Sequence, residues 1–111
     1  MADVLSRLFF AGFIGLHILY HADKKAIYGV EITEELLRHG YELSPGTLYP
    51  ILRQLYEAGY LLRKEEVVAG KQRKNFWITA SGKRVLAEAR EKLQELVLEV
   101  AEDKDRRADP K

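Results

Sequence analysis

The chain has 111 residues, of which 47% are hydrophobic and 32% are charged, and its formal net charge is +1. This composition is typical of one globular domain and excludes the disordered and fibrous classes of protein. The absence of cysteine excludes a disulfide framework and a thiol nucleophile, and it indicates a protein of the reducing cytoplasm.

A first helix is predicted from Val4 to about Ala22, and it is apolar nearly all round, which indicates burial on more than one side. Its apolar run, Leu8–Tyr20, is shorter than the roughly 20 residues that a membrane helix needs. Asp3 before the run, His17 within it and the lack of a small-residue cleavage site argue against a signal peptide. No association with a membrane is therefore expected.

Two further helices are predicted after short breaks. The second occupies the segment YGVEITEELLRHG and stops at Gly40, and the third runs from Ser44 to Ala58 and stops at Gly59. Glycine is a common residue at the end of a helix. Ser44 suits the N-cap position, and Pro45 suits the first helical position, where its missing N–H would be unpaired in any case.

The third helix has an apolar side and an open side. At about 100° per residue, four side chains share the side that packs against the first two helices, namely Leu48, Ile51, Leu52 and Leu55. The opposite side combines very small residues with hydrogen-bonding ones. It holds Gly46, Pro50, Arg53 and Glu57, and it is flanked by Thr47, Tyr49 and Gln54. The hydroxyl groups at this helix start indicate a phosphate site, although the same residues also serve simply to begin and bend a helix.

A two-stranded hairpin is predicted over Tyr60–Thr79, because two runs rich in β-forming residues flank the turn AGKQ. Its tip carries Lys71, Arg73 and Lys74. Such a tip either contacts phosphates or the minor groove of DNA, or is only a soluble turn.

The last predicted helix runs from Gly82 to about Asp103, with Ser81 as its cap, and residues 104–111 form a frayed tail. Its apolar residues recur at intervals of three and four, as Leu86, Ala89, Leu93, Leu96 and Val100, with Val97 beside them. This is the spacing of a coiled-coil seam. We expect the seam to join two copies of the chain, the alternative being that it packs on its own domain.

The order of helix, helix, helix, hairpin and helix predicts a winged helix-turn-helix. The fold class is mainly α with a small β-hairpin, an N-terminal helix and a long C-terminal dimerisation helix. The expected boundaries are 1–80 for the winged domain, 81–103 for the dimerisation helix and 104–111 for the tail. Residues 44–84 contain eight basic and three acidic side chains, a net charge of +5, which predicts contact with a polyanion.

Three segments, IYGVEITEEL, SPGTLYPILRQLYEAGYL and GKQRKNFWITASGK, together resemble the PadR family of bacterial and archaeal transcriptional regulators. The resemblance covers about Ile27 to Lys83. It implies a homodimeric repressor that pairs through its first and last helices, places helix 44–58 in the major groove of double-stranded DNA and contacts the backbone or minor groove with the wing, 70–74. The residues that match DNA-contacting positions are Tyr28, Ser44, Gly46, Thr47, Tyr49, Pro50, Lys71, Arg73 and Lys74, and Arg53 shares their open face.

Other functions are less well supported by the residues. A winged-helix module that binds proteins instead of DNA is the alternative, and the basic middle argues against it. An enzyme is not expected, because the chain has no paired carboxylates in an apolar setting and no glycine-rich phosphate loop.

No metal or cofactor is expected. His17 and His21 have the spacing of a metal-ligand pair, but no third ligand is evident from the sequence. A small aromatic effector is a further partner that the resemblance raises. The last helix contains no aromatic residue for stacking, which leaves the neighbourhood of Phe9, Phe10 and Phe13 as the place for such a ligand.

Overall fold

The computed structural model describes residues 4–102. Four α-helices lie in this part of the chain, α1 (Val4–Lys24), α2 (Gly29–Arg38), α3 (Pro45–Glu57) and α4 (Ala80–Leu96), and the last continues as a π-helical segment (Val97–Ala101). Three strands complete the fold, β1 (Ile27–Tyr28), β2 (Leu61–Val68) and β3 (Lys71–Ile78). The predicted order of elements is confirmed, while Asp103 and the tail 104–111 lie outside the described residues.

The hairpin forms one part of an antiparallel sheet with the strand order β1, β3, β2. Its two strands pair from Leu61 opposite Ile78 to Val68 opposite Lys71. The connecting residues Ala69 and Gly70 both have positive φ, 54° and 78°. A turn of two such residues matches the right-handed twist of the strands on either side.

The third strand differs from the prediction. The sequence predicts a sheet of two strands with Tyr28 at the start of the second helix, whereas Ile27 and Tyr28 pair with Phe76 and Asn75 of β3. A strand of two residues has no alternation to detect, and its partner lies far along the chain. Because of this pairing, the start of α2 is attached to the hairpin strand β3.

The start of α4 also differs. The predicted cap, Ser81, is wrong, because the helix begins at Ala80 and Thr79 occupies the N-cap position. Thr79 Oγ1 accepts a hydrogen bond from the Gly82 N–H at 2.9 Å and donates one to the Gly59 carbonyl at 2.6 Å. One side chain therefore satisfies the start of α4 and ties it to the end of α3.

The core lies where α1 meets α2, α3 and the sheet. Ile14 and Ile18 of α1 are fully buried, and Leu48 and Leu52 of α3 belong to the same apolar cluster. Burial of each such side chain stabilises the fold by about 1.5–3 kcal/mol. The apolar side of α3 is thus anchored as predicted, and its opposite side faces outward.

The first helix is longer than predicted and ends at Lys24. Its middle is buried, but its first turns expose apolar side chains, namely Val4, Leu5, Leu8 and Phe9. Within residues 4–102, no helix has both the length and the apolar character required to cross a membrane.

Candidate nucleic-acid interface

The start of α3 presents exposed polar groups. Ser44 holds the N-cap position, Pro45 is the first helical residue, and the Ser44 side chain makes no cap hydrogen bond to the backbone. Its hydroxyl lies 3.3 Å from that of Thr47 instead. Two hydroxyl groups are therefore displayed at the positive end of the helix dipole, where an anion is favoured.

Gly46 leaves this end of the helix bare. A β-carbon built there would have only Ser44 Oγ within 4 Å, at 3.7 Å, so the space above Gly46 is open. Pro50 lies inside the helix four residues later, where a proline ring crowds the carbonyl group one turn back. Arg53, a turn beyond Pro50, is exposed on the same helix.

Tyr49 of α3 lies against Gly29, the first residue of α2. A β-carbon at Gly29 would come within 2.9 Å of Tyr49 Cζ and closer still to its hydroxyl oxygen. No side chain larger than hydrogen fits between them without moving the ring. The aromatic ring is nevertheless 45% exposed, so its free side remains available to a ligand.

The wing carries three cations in two different environments. Lys71 and Lys74 are exposed. Arg73 is half-buried, because its guanidinium carbon lies 3.8 Å from the centre of the Tyr28 ring and its Nη2 lies 3.9 Å from a carboxylate oxygen of Glu66. The sequence places all three cations at the hairpin tip. In the structure Arg73 packs against protein groups, whereas the two lysines are exposed.

These elements line an open cavity of about 630 Å³ between the wing and the helices. Its wall includes five residues that the sequence analysis selected, Tyr28, Tyr49, Lys71, Arg73 and Lys74, together with four that it did not, Gly29, Val30, Val68 and Gln72. The other selected residues, Ser44, Gly46, Thr47, Pro50 and Arg53, lie along α3 outside this wall. Gly29, Val30 and Val68 have no polar side chain that would single them out, and only the fold brings them to the cavity, whereas Gln72 stands between the selected Lys71 and Arg73 in the sequence.

The predicted seam of α4 divides into two parts. Leu86 is 5% exposed and belongs to the core of its own chain, so it is not free to contact a partner. Farther along, every residue from 91 to 102 is exposed. The uncovered apolar side chains of the seam are Leu93, Leu96, Val97 and Val100.

Three histidines gather between α1 and α2. His21 Nε2 and His39 Nε2 lie 3.6 and 3.4 Å from the same oxygen of Glu35, and the His17 ring centroid is 4.9 Å from that of His39. Burial is the main cause that lowers the pKa of both His17 and His21, with neighbouring histidines adding to it. Among residues 4–102, no group of three or more such side chains has the arrangement of a metal site.

The aromatic residues of α1 are partly occupied by protein contacts. Phe13 stacks on Phe9 with ring centroids 5.4 Å apart, and both Phe10 and Phe13 contact Tyr41. A separate cavity of about 490 Å³ lies between α1 and α4, with His17, Tyr20 and Leu93 in its wall.

Comparison with known proteins gives consistent matches. The family model described as "Transcriptional regulator PadR-like family" matches residues 18–88. Transcriptional regulator Rv3488 of Mycobacterium tuberculosis is 45% identical over 87 residues, which are 78% of this chain and 81% of that protein.

Solved structures share the fold. A PadR-like transcription factor from Bacteroides fragilis superposes with a TM-score of 0.78 at 25% identity, over 90% of this chain and 98% of the other. Bacillus subtilis PadR, solved in complex with operator DNA, gives a TM-score of 0.62 at 24% identity, over 68% of this chain and 45% of the other. The family model and the mycobacterial relative together show that the chain belongs to the PadR-like family of transcriptional regulators and is not an enzyme.

Proposed function

We propose that this regulator binds double-stranded DNA sequence-specifically as a homodimer and represses transcription in the cytoplasm. The observation that carries the proposal is the open face of α3 beside the exposed wing lysines, Lys71 and Lys74. A helix with a bare, hydroxyl-bearing start fits the major groove, and cations next to it fit the flanking phosphates. The operator complex of Bacillus subtilis PadR supports the same use of this fold.

The two ends of the interface have different roles in this proposal. Arg53, Thr47 and Tyr49 on α3 face the base edges, which carry sequence information. Ser44 and the bare backbone at Gly46 receive a phosphate or a base edge at close range, and Pro50 keeps that side of the helix free of a long side chain. Lys71 and Lys74 neutralise phosphates, which adds affinity for any sequence.

Dimerisation is supported by the uncovered apolar side chains of α4 and of the first turns of α1. Leu93, Leu96, Val97 and Val100 remain exposed in the single chain, and a second copy would remove them from water. Ala89 is small enough to let a partner helix approach. A two-fold dimer would then present its two α3 helices to major grooves about 34–36 Å apart.

Paired substitutions test the division of roles. Arg53→Ala should weaken binding to the preferred duplex by about tenfold or more and barely affect a scrambled duplex. Lys71→Ala should weaken both duplexes alike and reduce the salt slope by about one. Lys92→Ala, an exposed lysine on α4, controls for the loss of one positive charge. Equal effects of Arg53→Ala on both duplexes would show that Arg53 does not contribute to sequence recognition.

A further inference from the structure

Arg73 differs from the other wing cations in what surrounds it. Its side chain is 33% exposed, and its guanidinium group covers the Tyr28 ring. Its Nε is buried and has no hydrogen-bond partner within the described part of the chain. A side chain that binds a DNA phosphate is expected to expose its nitrogen atoms to water in the free protein, as the exposed residues Lys71 and Lys74 do.

The charge of Arg73 is also compensated locally. Glu66 lies directly opposite Arg73 across the hairpin, and its carboxylate is near Arg73 Nη2. The same carboxylate oxygen accepts a hydrogen bond from the side-chain amide of Asn75, which is buried. The Glu66 side chain is 44% exposed, so this ion pair restrains Arg73 only weakly, and the stacking on Tyr28 is the main contact that holds it.

Tyr28 lies at the junction of the two DNA-facing elements. It belongs to the two-residue strand β1 and is followed directly by Gly29, which supports the Tyr49 ring of α3. The wing thus contacts Tyr28 through Arg73, while the recognition helix contacts the next residue through Tyr49. Because Tyr28 and Gly29 are neighbours in the chain, these two contacts fix the position of the wing relative to that of α3.

We propose that Arg73 is a positioning residue, which holds the wing against Tyr28 so that Lys71 and Lys74 stand at the correct distance from α3, and that it does not itself neutralise a phosphate. This inference depends on the proposed DNA binding for its functional consequence. The stacking contact itself exists without DNA. A planar guanidinium group suits this role because it stacks on an aromatic face and pairs with a carboxylate at the same time.

The test compares Arg73→Lys, Tyr28→Leu and their double variant. Their binding to a duplex that the unaltered protein has enriched from a random pool is measured over a salt series. Each single variant should bind about tenfold more weakly, with the salt slope of the unaltered protein. The double variant should bind no more weakly than either single variant, because both remove the same contact. Arg90→Lys, the same exchange at an exposed position on α4 outside the proposed interface, is the matched control and should leave binding unchanged.

Tyr28→Phe keeps the ring that Arg73 covers and removes only the hydroxyl group, so its melting temperature should equal that of the unaltered protein. Additive losses in the double variant, or Arg73→Lys binding at full strength, would overturn the positioning role. A salt slope that falls by about one in Arg73→Ala/Glu66→Gln, where both charges of the pair are removed, would show instead that Arg73 contacts a phosphate.

A measurement without DNA separates this inference from the proposed function. Thermal unfolding is measured for the unaltered protein, Arg73→Lys, Tyr28→Leu and their double variant. The shifts in melting temperature of the two single variants should not add up in the double variant. Failure of every protein to bind DNA would overturn the proposed function while the unfolding cycle still reports the contact. Additive shifts in melting temperature would show that the two side chains do not interact and would overturn the inference.

Discussion

The hydroxyl group of Tyr49 occupies the space into which a β-carbon on Gly29 would project. This contact joins the exposed side of α3 to the first residue of α2, away from the apolar core. Helix α3 is therefore positioned twice, by Leu48 and Leu52 on its buried side and by Tyr49 on its open side. A change at Gly29 should therefore move a ring of the proposed DNA interface without disturbing the core.

Gly29→Ala should reduce DNA affinity about tenfold and leave the melting temperature nearly unchanged. The tyrosine ring is flexible and half-exposed, so it can turn away from the new methyl group, and alanine favours the helix more than glycine does. Titration of a labelled duplex and thermal unfolding measure the two effects. Gly12→Ala is the control, because a β-carbon there has no neighbour within 4 Å. Unaltered DNA binding by Gly29→Ala would show that the orientation of Tyr49 does not matter.

Gly46→Ala should lower DNA affinity more than it lowers stability. A methyl group at this position has room, with Ser44 Oγ at 3.7 Å as its nearest neighbour, and helix propensity favours alanine by up to about 1 kcal/mol. The same methyl group would stand between the helix and an approaching phosphate or base edge. A loss of stability with unchanged affinity would mean that Gly46 serves only the start of the helix.

The elements with a strong local period could be predicted from the sequence, whereas the contacts that assemble the interface could not. The apolar spacing of Leu48 and Leu52 identified α3, and the turn at Gly70 identified the hairpin. The contacts of Tyr28 with Arg73 and of Gly29 with Tyr49 join residues far apart in the chain. Periodicity describes each element alone, so the role of Gly29 and the different environment of Arg73 appear only in the folded chain.

Dimerisation should be lost in Leu96→Glu. Leu96 is 45% exposed in the single chain, so a carboxylate there should leave the fold intact, but it would be buried without a partner at a two-fold interface. Light scattering with size-exclusion chromatography should give the mass of a dimer for the unaltered protein and of a monomer for the variant. Lys92→Glu, one turn earlier, controls for added negative charge. An unaltered chain that is monomeric at micromolar concentration would contradict the dimer.

Acid should destabilise the protein through His17 and His21. Both pKa values are lowered in the folded chain, mainly by burial, although Glu35 opposes the shift at each residue. Folding therefore favours the neutral imidazoles, so this contribution is complete above the unfolded pKa of about 6.5 and is lost as the pH falls through the lower folded values.

The charged and titratable neighbours of these two histidines are Lys24, Glu31, Glu35 and His39. The melting temperature should fall between pH 7.5 and pH 5, and the fall should be smaller in the double variant His17→Gln/His21→Gln. An equal fall in the double variant would assign the acid sensitivity to other groups.

The most direct test of sequence-specific DNA binding is a salt series with the full chain and two duplexes, one enriched from a random pool and one with the same composition in scrambled order. The preferred duplex should bind at least about 10³-fold more tightly at physiological salt. The affinity for both duplexes should fall steeply as salt rises, because several lysine and arginine side chains release counterions from phosphates. A ratio of affinities near one at every salt concentration, or an affinity that does not change with salt, would contradict the proposed function.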